Sequence, residues 1–107
     1  SLWSLSPLLR VWTPAIEEEK RAELGLEDGA GAFEARWINN GQPGGKAALK
    51  GGLRKGDIIV AIDGKPLPET TPHFQLHIKM NYKVGDQLPL TVIRNGKRRE
   101  LQIPLVE

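Results

Sequence analysis

The chain has 107 residues and carries 15 Lys and Arg against 13 Asp and Glu, so its formal net charge is only +2. That length corresponds to one domain, large enough to form a core without disulfides or a structural metal. The absence of cysteine excludes thiolate chemistry, a cysteine zinc site and a disulfide framework. The apolar runs are far shorter than the ~20 residues that span a bilayer, so membrane insertion is not expected.

Serine occurs only at Ser1, Ser4 and Ser6, where the sequence has neither the strand nor the turn that aims a nucleophile. We therefore expect the 107-residue chain by itself to be non-catalytic. Residues 1–7 are interpreted as a flexible N-terminal segment or an artificial extension, and residues 8–107 as one domain. Twelve glycines and eight prolines indicate many turns between short elements, which favours a β-rich or α+β fold.

The first half of the chain predicts a strand, a helix and a second strand. Residues 8–12 form a short apolar run typical of a strand. Thr13 can then cap a helix whose first position is Pro14 and whose end is Gly25. Residues 31–38 place Phe33, Ala35 and Trp37 in alternation with polar residues, which predicts a strand with one buried face.

The middle of the chain predicts a loop and a central strand. Residues 39–45 are expected to form a loop, and residues 47–50 a short helical turn. The nearly continuous apolar run at residues 57–62 indicates a strand covered on both sides.

The C-terminal part contains the hairpin signal Asn95-Gly96. It lies between two predicted strands, residues 88–94 and 98–106, of which the second turns Leu101, Ile103 and Leu105 toward the core. Pro89 and Pro104 lack ladder donors, so the ends of the hairpin are expected at sheet edges.

Residues 71–82 fit two interpretations. Apolar residues alternate from Phe74 to Tyr82, which favours a strand. Thr71-Pro72, by contrast, is a pair typical of a helix start, and a helix would carry apolar residues on two faces. Periodicity alone does not decide between them.

Two motifs resemble a known family. The stretch GLRKGDIIVAIDGKPL at residues 52–67 is similar to the signature of bacterial PDZ domains, the type found in HtrA-type serine proteases. The stretch VGDQLPLTVIRNGK at residues 84–97 resembles the closing hairpin of the same family. Within the first motif, Gly56 permits a tight turn and Asp57 can accept bonds from nearby backbone amides.

The resemblance implies an α+β fold: a small, partly open PDZ-like β-barrel or sandwich of about five to six strands with two helices. It also favours the helix at residues 71–82. In this family a strand and a helix form a groove, into which a partner's C-terminus adds as a strand while loop amides hold its carboxylate. Carried over by position, the peptide-binding residues are Leu8, Leu9, Arg10, Val11, Trp12, Thr71, Phe74, Gln75 and Ile78, with Phe74 beneath the groove.

Arg10 departs from the family pattern, because it occupies the position where the family usually has glycine. Its guanidinium could pair with a carboxylate in place of converging amides.

Three other motifs receive simpler interpretations. His73 and His77 share a helical spacing, but no third histidine exists for a zinc site. The glycine-rich residues 41–47 lack the spacing and the Ser or Thr of a phosphate loop. Arg94, Lys97, Arg98 and Arg99 are taken as a solvated basic edge, and nucleic acid is not expected as a partner.

The sequence thus predicts a peptide-binding module without a cofactor. Its partners would be a peptide or protein C-terminus and the attached domains of a longer chain, with an HtrA-type protease as the first candidate. The resemblance implies a location in the cell envelope or periplasm. The alternative is an intramolecular docking domain of a non-protease envelope protein, for example a thioredoxin-like one, that does not recognise a free carboxylate.

Overall fold

The computed structural model describes residues 9–106, which form seven strands and three helices in an α+β arrangement. In chain order these are β1 (Val11–Trp12), α1 (Glu18–Glu23), β2 (Phe33–Glu34), β3 (Trp37–Ile38), α2 (Pro43–Lys50), β4 (Ile58–Ile62), β5 (Lys65–Pro66), α3 (Thr71–Asn81), β6 (Gln87–Arg94) and β7 (Lys97–Pro104). The predicted fold class is confirmed, with more and shorter elements than expected.

The strands form two sheets. The larger has the order β2-β4-β6-β7 with β5 paired to β4, and the smaller consists of β1 and β3; all pairs are antiparallel. Every residue of β4 is buried, which confirms the predicted central strand. The larger sheet remains open between β2 and β7 and is not a closed barrel.

The predicted hairpin is present. Strands β6 and β7 pair over their whole length, from Gln87 opposite Pro104 to Arg94 opposite Lys97. Asn95 and Gly96 have φ angles of 52° and 77°, the left-handed pair that a two-residue hairpin turn requires. Ile103 and Leu105 are buried in the core, and Leu101 packs against it half-buried.

Helix α3 confirms the helical interpretation of residues 71–82. Pro72 lies in the first turn, and the Thr70 side chain caps the helix by accepting the His73 N–H at 3.3 Å. Phe74 and Ile78 are buried, whereas Met80 is 74% exposed. The two-residue alternation therefore places apolar side chains on opposite faces of a helix.

Aromatic stacking joins α3 to the larger sheet. The rings of Phe74 and Phe33 lie with centroids 4.7 Å apart and planes at 14°. Both residues are fully buried, within a core built from all the helices and strands except α1 and β5: Leu9, Val11, Phe33, Ala35, Ile38, Ala48, Leu53, Ile59, Ile62, Leu67, Phe74, Ile78, Leu88, Leu90, Val92, Ile103 and Leu105.

The predicted start of the first helix is wrong. Helix α1 begins at Glu18, and Thr13 does not cap it. The preceding residues are extended because they pair with the next segment: the Pro14 carbonyl accepts the Glu34 N–H at 2.9 Å, and the Ile16 N–H donates to the Ala32 carbonyl at 3.1 Å. Gly25 does end the helix region, with φ +67°.

The single strand predicted for residues 31–38 is divided in two. Its first part, β2, pairs with β4, and its second part, β3, crosses to pair with β1. Ala35 lies at the crossing and is buried, but Trp37 is 56% exposed. The prediction of a buried Trp37 is therefore wrong, because the alternation is interrupted where the chain changes sheets.

The loop predicted at residues 39–45 is shorter than expected, because α2 already begins at Pro43. Gly45 allows this helix to approach the preceding turn: a Cβ at this position would lie 1.8 Å from the Asn39 carbonyl oxygen. The helical turn predicted at residues 47–50 is therefore the second half of α2, and the sequence prediction missed the first half, where glycine is needed for close packing rather than for flexibility.

Arg94 does not belong to the solvated basic edge. Its guanidinium turns inward and binds the carboxylate of Asp57, whereas Lys97, Arg98 and Arg99 are exposed on β7. None of the helices within residues 9–106 has the length and hydrophobicity needed to cross a bilayer.

Candidate functional site

A groove of about 670 Å³ runs between β1 and α3. Residues 9–13 form its strand side, and residues of α3 between Thr71 and Lys79 form its helix side. Trp37 and Asn39, from β3 and the turn that follows it, border the strand side.

The backbone of β1 directs hydrogen-bonding groups into this groove. The Arg10 carbonyl accepts the Asn39 N–H, and the Trp12 carbonyl accepts the Arg36 N–H, both at 3.0 Å. Because backbone groups alternate in direction along a strand, those of Val11 and Thr13 point to the opposite edge, which faces α3. Within the described part of the chain, no strand pairs with that edge.

The side chains of the strand side are divided between the core and the surface. Leu9 and Val11 are buried and give the groove an apolar floor. Trp12 is 55% exposed and lies directly opposite Trp37 in the pairing of β1 with β3. The guanidinium carbon of Arg36 lies 5.4 Å from the centre of the Trp12 ring, within the range of a cation–π interaction.

Arg10 is exposed and borders the groove. Its backbone does not need glycine, because Asp63 and Asn95 are the only non-glycine residues of the described ranges with positive φ. A charged side chain therefore fits the family's glycine position without backbone strain. Leu8, the first residue expected at the site, lies outside the described residues.

The helix side contains some of the residues expected there. Thr71 and Gln75 border the groove, and Phe74 lies beneath it in the core. Ile78 is buried in the core and does not border the groove. Four side chains of α3 that were not predicted for the site border it instead: Pro72, His73, Leu76 and Lys79.

Two side chains of α3 reach across the groove to Thr13. The Thr71 hydroxyl donates to the Thr13 carbonyl at 2.8 Å, and the Gln75 amide donates to the Thr13 hydroxyl at 3.1 Å. We call this three-residue contact the Thr13 bridge. Gln75 Oε1 is buried and has no hydrogen-bond partner within residues 9–106.

The two histidines of α3 form local contacts. The Nδ1 atom of His73 lies 2.7 Å from the Thr70 hydroxyl, and that of His77 lies 3.4 Å from the Asn81 amide nitrogen. Among residues 9–106, no group of three or more His, Cys, Asp or Glu side chains is placed to hold a metal ion.

An open strand edge facing a helix across an apolar groove is the geometry of a domain that binds peptides by strand addition. The family model for the PDZ domain matches residues 38–105. The chain belongs to the PDZ domain family.

Curated relatives connect this domain to bacterial proteases. The chain is 35% identical over 98 residues to a probable periplasmic serine endoprotease DegP-like of Pseudomonas putida F1, an alignment that covers 88% of this chain and 19% of the relative. It is 37% identical over 60 residues to a serine protease Do-like HtrA of Lactobacillus helveticus, covering 55% and 14%. The chain thus spans about a fifth or less of these relatives. The periplasmic name of the first relative agrees with the expected location.

Solved structures show the same fold. An HtrA-type protease solved with a decapeptide superposes with a TM-score of 0.70 at 24% identity, over 92% of this chain and 28% of the other. The HtrA3 PDZ domain bound to a phage-derived ligand, FGRWV, superposes with a TM-score of 0.62 at 18% identity, over 90% and 81%.

Proposed function

We propose that this domain captures an extended peptide or a protein C-terminus by adding it as a strand to the free edge of β1. The observation that carries the proposal is the direction of the Val11 backbone groups, which point away from β3 and toward α3. Within residues 9–106, no strand pairs with this edge of β1. Main-chain bonds at such an edge supply affinity, and the side chains beside it supply selectivity.

The surroundings of this edge suit an apolar peptide side chain. Leu9 and Val11 form the floor, and Leu76 stands on the helix side. Trp12 and Trp37 present two large aromatic surfaces next to the same edge, and aromatic residues are enriched where proteins bind partners. A bound peptide would therefore bury apolar surface as well as pair its backbone.

In a longer chain, we propose that this capture recruits substrate to an attached serine protease or regulates it. The support comes from the relatives, which are named serine endoproteases and of which this chain spans 19%. The two solved structures named with a decapeptide and with FGRWV support a peptide as the ligand.

Titration with the pentapeptide FGRWV and with a library of random C-terminal pentapeptides tests the proposal. The tightest binder is expected to shift the backbone amide NMR signals of Val11 and of the first turns of α3. A docking domain occupied by its own chain would select no peptide from the library. That outcome would reject the proposal and favour the alternative function.

A pair of variants on α3 locates the binding surface. Leu76→Asp places a charge on the groove wall and should weaken binding at least about tenfold, since it removes an apolar contact and introduces a desolvated charge. Met80→Asp adds the same charge to an exposed position of the same helix that does not border the groove. It should leave the affinity unchanged, and equal effects of the two variants would contradict the proposed groove.

A further inference from the structure

We propose that the Thr13 bridge closes one end of the groove. Thr71 would thereby determine how many backbone groups of a bound peptide can form hydrogen bonds with the strand side. This inference rests on the proposed function, because it concerns the same strand edge. It assigns a selectivity role to two hydrogen bonds within the protein.

The free edge of β1 is short. The backbone groups of Arg10 and Trp12 are directed to β3, so Val11 and Thr13 are the residues after Leu9 whose groups face the groove. The backbone of Pro14 turns the same way as that of Trp12, since its carbonyl accepts the Glu34 N–H at 2.9 Å. The residues that line the strand side of the groove end at Thr13.

The Thr13 carbonyl, the last acceptor on the strand side of the groove, is already engaged. An added antiparallel strand would pair with Val11 and, through the residue two positions earlier in its own chain, with Thr13. The Thr71 hydroxyl donates to the Thr13 carbonyl from the groove side, which is the side that the added strand would occupy. Thr13 as a whole is only 1% exposed, so the side chains of α3 cover this position.

Gln75 strengthens the closure. Its amide holds the Thr13 hydroxyl while its carbonyl oxygen remains buried without a partner in the described residues. Thr71 lies in the first turn of α3, whose position is fixed by the Thr70 cap and by the buried Phe74. The bridge therefore joins two rigid elements, and a peptide gains main-chain bonds at Val11 without gaining the carbonyl bond at Thr13.

The test replaces single backbone amides of a bound pentapeptide by esters, which removes one N–H donor at a time. The peptide is FGRWV or any tighter binder from the library. Wild-type protein should bind the peptide with equal affinity when the ester removes the N–H donor that faces Thr13. Thr71→Val keeps the side-chain shape but lacks the hydroxyl, so it should bind the all-amide peptide about three- to tenfold more tightly and lose that gain with this one ester.

Thr91→Val is the matched control, because Thr91 is a buried threonine whose hydroxyl donates to Glu100 on the hairpin, away from the groove. Its affinities for the all-amide peptide and for each single-ester peptide should equal those of wild-type protein. Thermal unfolding confirms that both variants fold. If no peptide binds wild-type protein, the proposed function fails. If a peptide binds but Thr71→Val has the wild-type affinities for the all-amide and single-ester peptides, the inference about the bridge fails alone.

Discussion

Arg94 binds the carboxylate of Asp57 through two parallel hydrogen bonds, Nε to Oδ1 at 2.7 Å and Nη2 to Oδ2 at 2.6 Å. The Asp57 side chain is 1% exposed and that of Arg94 is 25% exposed. The same Nη2 atom donates to the Gly52 carbonyl at 2.7 Å. The pair thus ties the start of β4 to the end of β6, and its hydrogen bonds raise the pKa of Arg94.

Asp57→Ala should destabilise the fold by about 3 kcal/mol, because it leaves a half-buried guanidinium without its carboxylate. The chain contains a matched control in Asp86. Both aspartates end a turn with a left-handed glycine, Gly56 or Gly85, and each accepts at 2.9 Å the N–H of the residue three positions earlier. Only Asp57 also binds an arginine.

Asp86→Ala should therefore cost only about 1 kcal/mol, the value of a side-chain to backbone bond at such a turn. Urea unfolding of the two variants measures the difference. Equal losses would mean that Arg94 contributes nothing beyond the turn.

Gly45→Ala should destabilise the protein by about 2 kcal/mol. Overpacking costs about 1–3 kcal/mol, and the upper end applies because the new Cβ would meet the Asn39 carbonyl oxygen at 1.8 Å. The gain in helix propensity of about 1 kcal/mol offsets only part of it. Gly41→Ala, whose Cβ would have its nearest neighbour at an ordinary 3.5 Å, should change the free energy of unfolding by less than about 0.5 kcal/mol.

The exposed position of Arg10 beside the groove predicts that the domain prefers peptides with a free C-terminal carboxylate. If its exposed guanidinium pairs with the peptide end, the free acid should bind about 1.5–3 kcal/mol more tightly than the C-terminal amide of the same peptide. Arg10→Gln should remove most of this gap, whereas Arg99→Gln, on the exposed edge of β7, should preserve it. Calorimetric titration of both peptide forms decides the matter, and equal affinities for acid and amide would leave strand addition as the only mode of capture.

Tyr82 should titrate above its ordinary value of about 10. Burial is the main cause of its raised pKa, followed by the negative charges of Asp63 and Asp86. Tyr82 is the one tyrosine of the chain, so absorbance near 295 nm (the tyrosinate band) reports it alone. The midpoint should be higher in the folded protein than in denaturant, and lower in Asp63→Asn than in wild type.

The same shift has a consequence for stability. Above pH 10 the folded state keeps a proton that the unfolded state loses, so the free energy of unfolding decreases as the pH rises through this range. Below pH 10 both states are protonated, and Tyr82 adds no pH dependence. Tyr82→Phe should therefore show a smaller loss of stability above pH 10, and identical slopes for the two proteins would contradict the shift.

Local sequence signals predicted the elements whose structure depends on local chemistry. Asn95-Gly96 defines its own turn, and the apolar run of β4 is buried wherever the sheet forms. The start of α1 could not be predicted in this way, because Thr13 and Pro14 fit a helix cap locally but engage α3 and β2 over long distances in sequence. Trp37 was misplaced for a related reason, since alternation carries no information about a strand that changes sheets.

The candidate site was predictable to a similar extent. The resemblance located the strand and the helix, and Thr71 and Gln75 do border the groove. Leu76 and Lys79 were missed because the alternation of apolar residues from Phe74 to Tyr82 places apolar side chains on two faces of α3. It does not tell which of the two faces meets the core. Ile78 meets the core, which leaves Leu76 on the groove side.

The stacked pair of Phe33 and Phe74 lies fully buried between the larger sheet and α3, so the position of the helix side of the groove depends on two interior residues. Because the two rings lie between the larger sheet and α3, shortening one of them should shift the helix toward that sheet and change the width of the opening against β1. Changes in peptide preference could therefore arise from substitutions in the interior, with every residue of the binding surface left as it is.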